Sequence, residues 1–202
     1  MKIAIIKYNA GNVQSVLYAL QRLGINAVVT DDHEEIKTAD KVIFPGVGNA
    51  ASAMEYLRKN GLDTTIISLQ QPVLGICLGL QLMCRYSEEG DTKCLGIFDV
   101  AVKKFKENHA EQNPRRYKIP HMGWNSIHDL KTTLFTNVKE NAFMYFVHSY
   151  YADLSDNTIA TTDYIVPFSA AIHRDNFYGV QFHTEKSADA GIQIISNFLN
   201  LE

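Results

Sequence analysis

The sequence predicts an α/β fold, an open, mostly parallel, doubly wound sheet with added antiparallel strands in the second half. Up to about Leu95, short apolar runs alternate with amphipathic helical patterns at the spacing of βα units. Beyond Leu95, strand-like runs crowd together with short polar breaks between them, as in hairpins. A third observation sits in the stretch Val73-Leu74-Gly75-Ile76-Cys77-Leu78-Gly79-Leu80-Gln81, where a cysteine between two glycines marks the change from strand to helix.

Lys2 to Ile6 reads as the first strand. Asn9-Ala10-Gly11-Asn12 is a turn cluster. The helix after it sets Val13, Val16, Leu17 and Leu20 on one face, with Gly24 as its stop. Ile25 to Thr30 gives a second strand, and Lys41 to Phe44 a third that runs into Pro45-Gly46-Val47-Gly48. A helix follows from Asn49 to Lys59, with Ala50, Ala53, Met54 and Leu57 inward and Gly61 near its end. Val73 to Ile76 is the fourth strand, and the helix behind Cys77 carries Leu78, Leu82 and Met83. Later strands are expected at Phe98 to Phe105, Phe143 to Tyr150, Thr158 to Thr162, Phe168 to His173 and Tyr178 to His183. Arg174-Asp175-Asn176 is a hairpin turn, and Lys106 to Arg116 is polar enough for an exposed loop. A last helix, Ser187 to Leu199, is expected to bury Ile192, Ile195 and Leu199 behind Ser187 as N-cap.

Composition narrows the function classes. A chain of 202 residues fits one domain, 1–202, with a sizeable core. At 46% hydrophobic and 20% charged residues it is ordinary for a globular protein. A net charge of −3 points to no polyanion, hence to no nucleic-acid partner. No run of 18 apolar residues offers a membrane span, and the first residues lack a signal-peptide pattern. Cys77, Cys84 and Cys94 form neither a disulfide framework nor a zinc spacing, so a reducing cytoplasm is the expected location.

Gly75-Ile76-Cys77-Leu78-Gly79 is the cysteine version of a nucleophile elbow. The helix start behind Cys77 offers unpaired N–H groups and a partial positive charge, both of which favour a thiolate. The same residues also describe a buried cysteine in a tight turn. Far downstream, His183 and Glu185 stand two apart at the end of a strand, where extended side chains share a face. A histidine beside a carboxylate is an oriented base that lacks only a nucleophile. Together the two stretches fit a Cys-His-Glu triad. Gly46, Val47 and Gly48 end a strand next to the Cys77 strand. Backbone N–H groups of Val47 and Leu78 can then serve as oxyanion donors, although alone the loop reads as a glycine-rich turn that binds nothing. Gln81, one turn beyond Cys77, can face the same cleft.

Gly75-Ile76-Cys77-Leu78-Gly79-Leu80-Gln81 followed by His183-Thr184-Glu185 resembles the class I (triad-type) glutamine amidotransferases. The segments Tyr8 to Val16, Phe44 to Gly48, Ile119 to Asn125, Phe146 to Tyr151 and Gln181 to Ser187 extend the resemblance from Lys2 to about Leu199. Pro45-Gly46-Val47-Gly48 and Pro120-His121-Met122-Gly123-Trp124-Asn125 are similar to one branch of that family, whose members pass ammonia to a separate (β/α)₈-barrel cyclase making imidazole glycerol phosphate in histidine biosynthesis. Two departures stand out: Thr184 where the family usually has proline, and Lys7-Tyr8-Asn9 where it often has Asp-Tyr-Gly. The resemblance implies glutamine as substrate, hydrolase chemistry joined to a lyase step, and no metal or organic cofactor. It implies that Cys77, His183 and Glu185 are catalytic. It further implies that Gly46, Gly48, Gln81, Ser149 and Tyr150 bind substrate, and that Asn9, Asn12, Trp124 and Lys186 face the cyclase of a heterodimer.

Three readings compete with this one: the glutaminase of another synthase, a triad hydrolase of γ-glutamyl peptides, and a non-enzymatic interaction or redox module with a reactive cysteine. The Pro-Gly-Val-Gly and Pro-His-Met-Gly-Trp-Asn segments argue against the first. The third leaves the His-x-Glu pair unexplained. His121, His148 and His173 read as structural or solvated rather than catalytic.

Overall fold

A computed structural model describes residues 1–9, 12–106 and 117–201. The first half contains β1 (Ile3–Ile6), α1 (Val13–Arg22), β2 (Ala27–Thr30), α2 (His33–Lys37), β3 (Lys41–Phe44), α3 (Ala50–Lys59), α4 (Leu62–Ile67), β4 (Val73–Ile76) and α5 (Leu78–Met83). The second contains β5 (Cys84–Ser87), β6 (Thr92–Lys93), β7 (Phe98–Lys104), β8 (His121–Ser126), β9 (Phe143–His148), β10 (Tyr150–Ala152), β11 (Thr158–Asp163), β12 (Pro167–Arg174), β13 (Phe177–Val180) and the C-terminal helix α6 (Ala188–Leu199).

The central sheet has seven strands in the order β11-β12-β13-β4-β3-β1-β2. Strands β2, β1, β3, β4 and β13 run parallel, and β12 and β11 continue the sheet antiparallel. Both faces are covered, as continuous apolar strands require. Ile3 and Ile5 join one core with Val16, Leu20 and Phe198, whereas Ala4 and Ile6 join the other with Met54, Leu57 and Leu80. That split is the two-residue period of a strand made visible. Two smaller sheets flank the large one: β10-β7-β5-β6, and the antiparallel ribbon β8-β9.

Cys77 stands at the centre because β4 lies between β3 and β13, and α5 starts at the end of β4. The helix must cross close over β3. A Cβ on Gly79 would sit 1.9 Å from the Phe44 carbonyl oxygen, and one on Gly75 would sit 2.9 Å from the carbonyl carbon of Gly79. Neither contact is tolerable, so both glycines are dictated by approach rather than by φ. Gly79→Ala is expected to destabilise the fold by about 1–3 kcal/mol, the usual cost of overpacking, seen as a lower urea midpoint. Wild-type stability with an undisturbed active site would rule out this close crossing.

Several expectations are corrected. The predicted strand Phe143 to Tyr150 is broken at Ser149 into β9 and β10, because the chain there passes from the ribbon to the four-stranded sheet. The last predicted strand stops at Val180, and His183 and Glu185 lie instead at a 3₁₀ turn, Thr184–Lys186. In α6 the deepest residues are Ile194, Ile195 and Phe198, and Ile192 is only partly buried. Ser187 holds the N-cap position without a capping bond, because its hydroxyl is used elsewhere. The short helix α2 is not among the expected elements, although Asp32-x-x-Glu35 carries a capping signature; Asp32 accepts from Glu35 N at 2.8 Å. Residues 107–116 of the expected loop, and Ala10 and Gly11 of the first turn, lie outside the described residues.

Candidate active site

Cys77 takes φ 53°, ψ −107°, a backbone conformation that costs a non-glycine residue about 1–3 kcal/mol. Cys77 N donates to Val180 O at 2.8 Å and Cys77 O accepts from Gln81 N at 3.2 Å, which fixes the elbow from both sides. The residue is 6% exposed, at the wall of a cleft of about 350 Å³.

His183 lies three residues beyond the end of β13 and is buried. Its N donates to Tyr145 O at 2.9 Å. Ser187 Oγ donates to His183 O at 2.6 Å and accepts from Tyr145 N at 2.9 Å, clamping the turn to β9. His183 Nδ1 lies 2.8 Å from Glu185 Oε1, and both side chains are buried. Because a carboxylate only accepts, Nδ1 carries the proton. Nε2 is buried with no well-formed hydrogen bond to any group, which leaves it available to Cys77 and to a leaving group. Burial pushes the imidazole down, but the neighbouring Cys77 and Glu185 more than offset this and raise it to about 10.

Glu185 is itself held. Asn12 Nδ2 donates to the same Oε1 at 2.6 Å. Asn12, expected at a partner surface, is half-buried and holds Glu185. Its backbone takes the left-handed conformation, φ 81°.

The two expected oxyanion donors are not both free in this arrangement. Leu78 N donates to Gly46 O at 3.3 Å, so one expected donor is already occupied by a carbonyl. In a trans peptide N–H and C=O point oppositely, so the Val47 N–H is aimed away from Leu78. Tyr8 Oη donates to Pro45 O at 2.7 Å and sits where a Gly46 Cβ would fall, which anchors the start of this loop.

Val47, Gly48, Gln81, Ser149 and Tyr150 line the cleft, whereas Gly46 is buried behind it. The carbonyls of Ser149 and Tyr150 accept from Phe105 N and from Gln81 Nε2 respectively. Three residues were missed. Glu89 supplies the carboxylate of the cleft wall and accepts from Ala50 N at 2.7 Å. His148 lines the cleft and is paired with His121 at 3.0 Å. Gln181 Nε2 lies 3.5 Å from Cys77 Sγ. Only Gln181 carried a signal, its place two residues before His183.

Of the expected partner-facing residues, Lys186 is exposed and Trp124 is 53% exposed on the outer face of the ribbon, beside Met122 and Phe143. Asn9 is exposed and donates to Ser52 O at 3.1 Å. Among the described residues no cluster of His, Cys, Asp and Glu is arranged to hold a metal ion, and no helix is long and apolar enough to cross a membrane.

Residues 4–201 match the family model described as glutamine amidotransferase class-I. "Imidazole glycerol phosphate synthase subunit HisH" of Bacteroides fragilis is 60% identical over 201 residues, covering 100% of both chains. The protein of the same name from Bacteroides thetaiotaomicron is 56% identical with the same coverage. Among solved structures, a putative GMP synthase protein from Thermoplasma acidophilum superposes with a TM-score of 0.75 at 19% identity, covering 98% of this chain and 92% of that one. PurLQS from Thermotoga maritima gives 0.69 at 17% identity, covering 98% and 97%. The structural likenesses speak for the fold, and the family match together with the full-length relatives settles the rest: the chain belongs to the class I glutamine amidotransferases.

Proposed function

We propose that the chain is one amidotransferase domain acting as the glutaminase subunit of imidazole glycerol phosphate synthase. It hydrolyses glutamine to glutamate and ammonia for a (β/α)₈-barrel cyclase subunit in the cytoplasm. The observation that carries the chemistry is that His183 interacts with both Cys77 and Glu185, while Cys77 itself lines the cleft. The full-length identity to subunits of that synthase supports the pathway. The lyase step belongs to the cyclase, which corrects the pairing of hydrolase and lyase expected of this chain.

Cys77 Sγ adds to the side-chain amide carbon of glutamine, and the carbonyl oxygen takes up the negative charge. His183 Nε2 holds the proton taken from the thiol and delivers it to the departing nitrogen, releasing ammonia. Water then attacks the glutamyl thioester with His183 as base, which returns the thiol and releases glutamate. Glu185, pinned by Asn12, keeps Nδ1 protonated so that Nε2 faces the reaction. Glu89 suits the α-ammonium of the substrate, since it brings negative charge to the cleft wall.

The test is glutamate release from glutamine, measured with and without the cyclase. Strong stimulation by the cyclase is expected, and no release under either condition would overturn the reading. The exposed Met122, Trp124 and Phe143 of the ribbon and the exposed Lys186 of the Thr184–Lys186 turn make the docking face. Lys186→Ala is expected to weaken stimulation or assembly with the fold intact, read by titrating the cyclase and by a thermal melt. If assembly and stimulation were both unchanged, Lys186 would have no place in the interface.

A further inference from the structure

A polar chain runs through the interior from the β8-β9 ribbon to the sulfur of Cys77. Asn125 Nδ2 lies 3.4 Å from His121 Nε2, His121 Nδ1 lies 3.0 Å from His148 Nε2, and His148 Nδ1 lies 2.7 Å from Tyr150 O. Tyr150 O also accepts from Gln81 Nε2 at 2.9 Å, and the same Nε2 donates to Gln181 Oε1 at 2.9 Å. Gln181 Nε2 then donates to Cys77 Sγ at 3.5 Å.

The direction of every bond is fixed. A carbonyl only accepts, so His148 Nδ1 bears the proton and its Nε2 accepts from His121 Nδ1. His121 Nε2 is thereby left as the acceptor for Asn125. Burial drives both imidazoles to the neutral form, His121 down to about 4 and His148 to about 3. A proton on His148 Nε2 would meet the one on His121 Nδ1. At the other end, the Gln81 donor fixes the Gln181 amide with its oxygen away from the sulfur and its NH₂ towards it. Gln181 is fully buried, out of reach of bulk solvent.

We propose that Gln181 is a further catalytic residue, an N–H donor to the Cys77 sulfur, and that His148 is a positioning residue that holds it through Tyr150 and Gln81. The proposal rests on the reading of Cys77 as the nucleophile. A neutral donor favours the thiolate without adding a charge that would compete with His183, and hydrogen bonds to charged groups are the stronger ones. The inner face of the ribbon carries His121 and His148, and its outer face carries Trp124. The two faces alternate along the same strands, so the support of the sulfur begins in the strand that presents Trp124.

The experiment follows Cys77 alkylation by iodoacetamide, with mass spectrometry locating the adduct. It needs no glutamine, so it reports on the donor even if the protein hydrolysed none. Gln181→Leu is expected to slow labelling about tenfold at pH 7, with the gap closing to about twofold at pH 9, where alkali supplies the thiolate. Gln181→Met, close in length and without a donor, is expected to do the same should the leucine variant fold poorly. His148→Phe is expected to slow labelling about threefold at pH 7, and His148→Gln, whose amide can still donate to Tyr150 O, to restore it. An unchanged pH 7 rate in the Gln181 variants or in His148→Phe would overturn the proposal. So would equal slowing at both pH values, which would mean a misshapen elbow rather than a lost donor.

Discussion

Cys77→Ala is expected to lower glutamine hydrolysis by at least about 10³-fold, the largest effect of any single change in the molecule. Synthesis by the complex from free ammonia should survive, because the cyclase chemistry does not pass through this chain's thiol. A glutamine analogue that alkylates thiols should label Cys77 and leave Cys84 and Cys94 untouched. The reason is physical. All three thiols are buried, but only Cys77 opens onto the cleft. Burial pushes the Cys84 thiol well up and that of Cys94 up to about 12, so neither supplies a thiolate at neutral pH. Loss of glutamine hydrolysis together with retained ammonia use, measured on the same preparation, separates a missing nucleophile from a damaged fold. Full glutaminase turnover in the variant would end the triad reading.

The proposed triad was legible because its parts have local signatures: glycines on either side of a cysteine, and a histidine two residues before a carboxylate. The parallel half of the sheet was legible for a related reason, since strands buried on both faces read as unbroken apolar runs. What escaped the sequence were features made by tertiary contact. A two-residue period locates β9 and β10, but not that they belong to different sheets. Asn12 reads as a loop residue, and only the folded chain places it 2.6 Å from Glu185. Gln181 offers only its place before His183, and His148 is an unexceptional strand-end residue, until burial removes water and leaves each with defined partners. Glu89 sits in a polar turn and shows its place only when that turn folds over the start of α3.

Val47→Gly is expected to raise glutaminase activity of the isolated chain tenfold or more and to reduce stimulation by the cyclase. In the structure the Gly46–Val47 peptide turns its carbonyl oxygen toward Leu78 N, at 3.3 Å. An oxyanion placed there would face an oxygen instead of two donors. Turning the peptide over frees Leu78 N–H and brings Val47 N–H round to join it. The rotation falls on ψ of Gly46, which glycine accepts, and on φ of Val47, which is driven toward positive values that a β-branched residue resists. Such strain costs about 1–3 kcal/mol, so the competent arrangement is scarcer by roughly ten- to hundredfold in the free chain. Loss of an oxyanion donor costs about 10²–10³ in rate, which leaves the resting enzyme nearly silent. A partner that binds the turned form more tightly shifts the population and releases ammonia only when it can be used. Glycine at position 47 removes the φ penalty and with it much of the partner's leverage. The measurement is the basal rate and the fold stimulation, with a melt to show that the loop change has not loosened the sheet. An unchanged basal rate with full stimulation retained would mean that Val47 merely packs beside the cleft and that the barrier to forming the oxyanion site lies elsewhere.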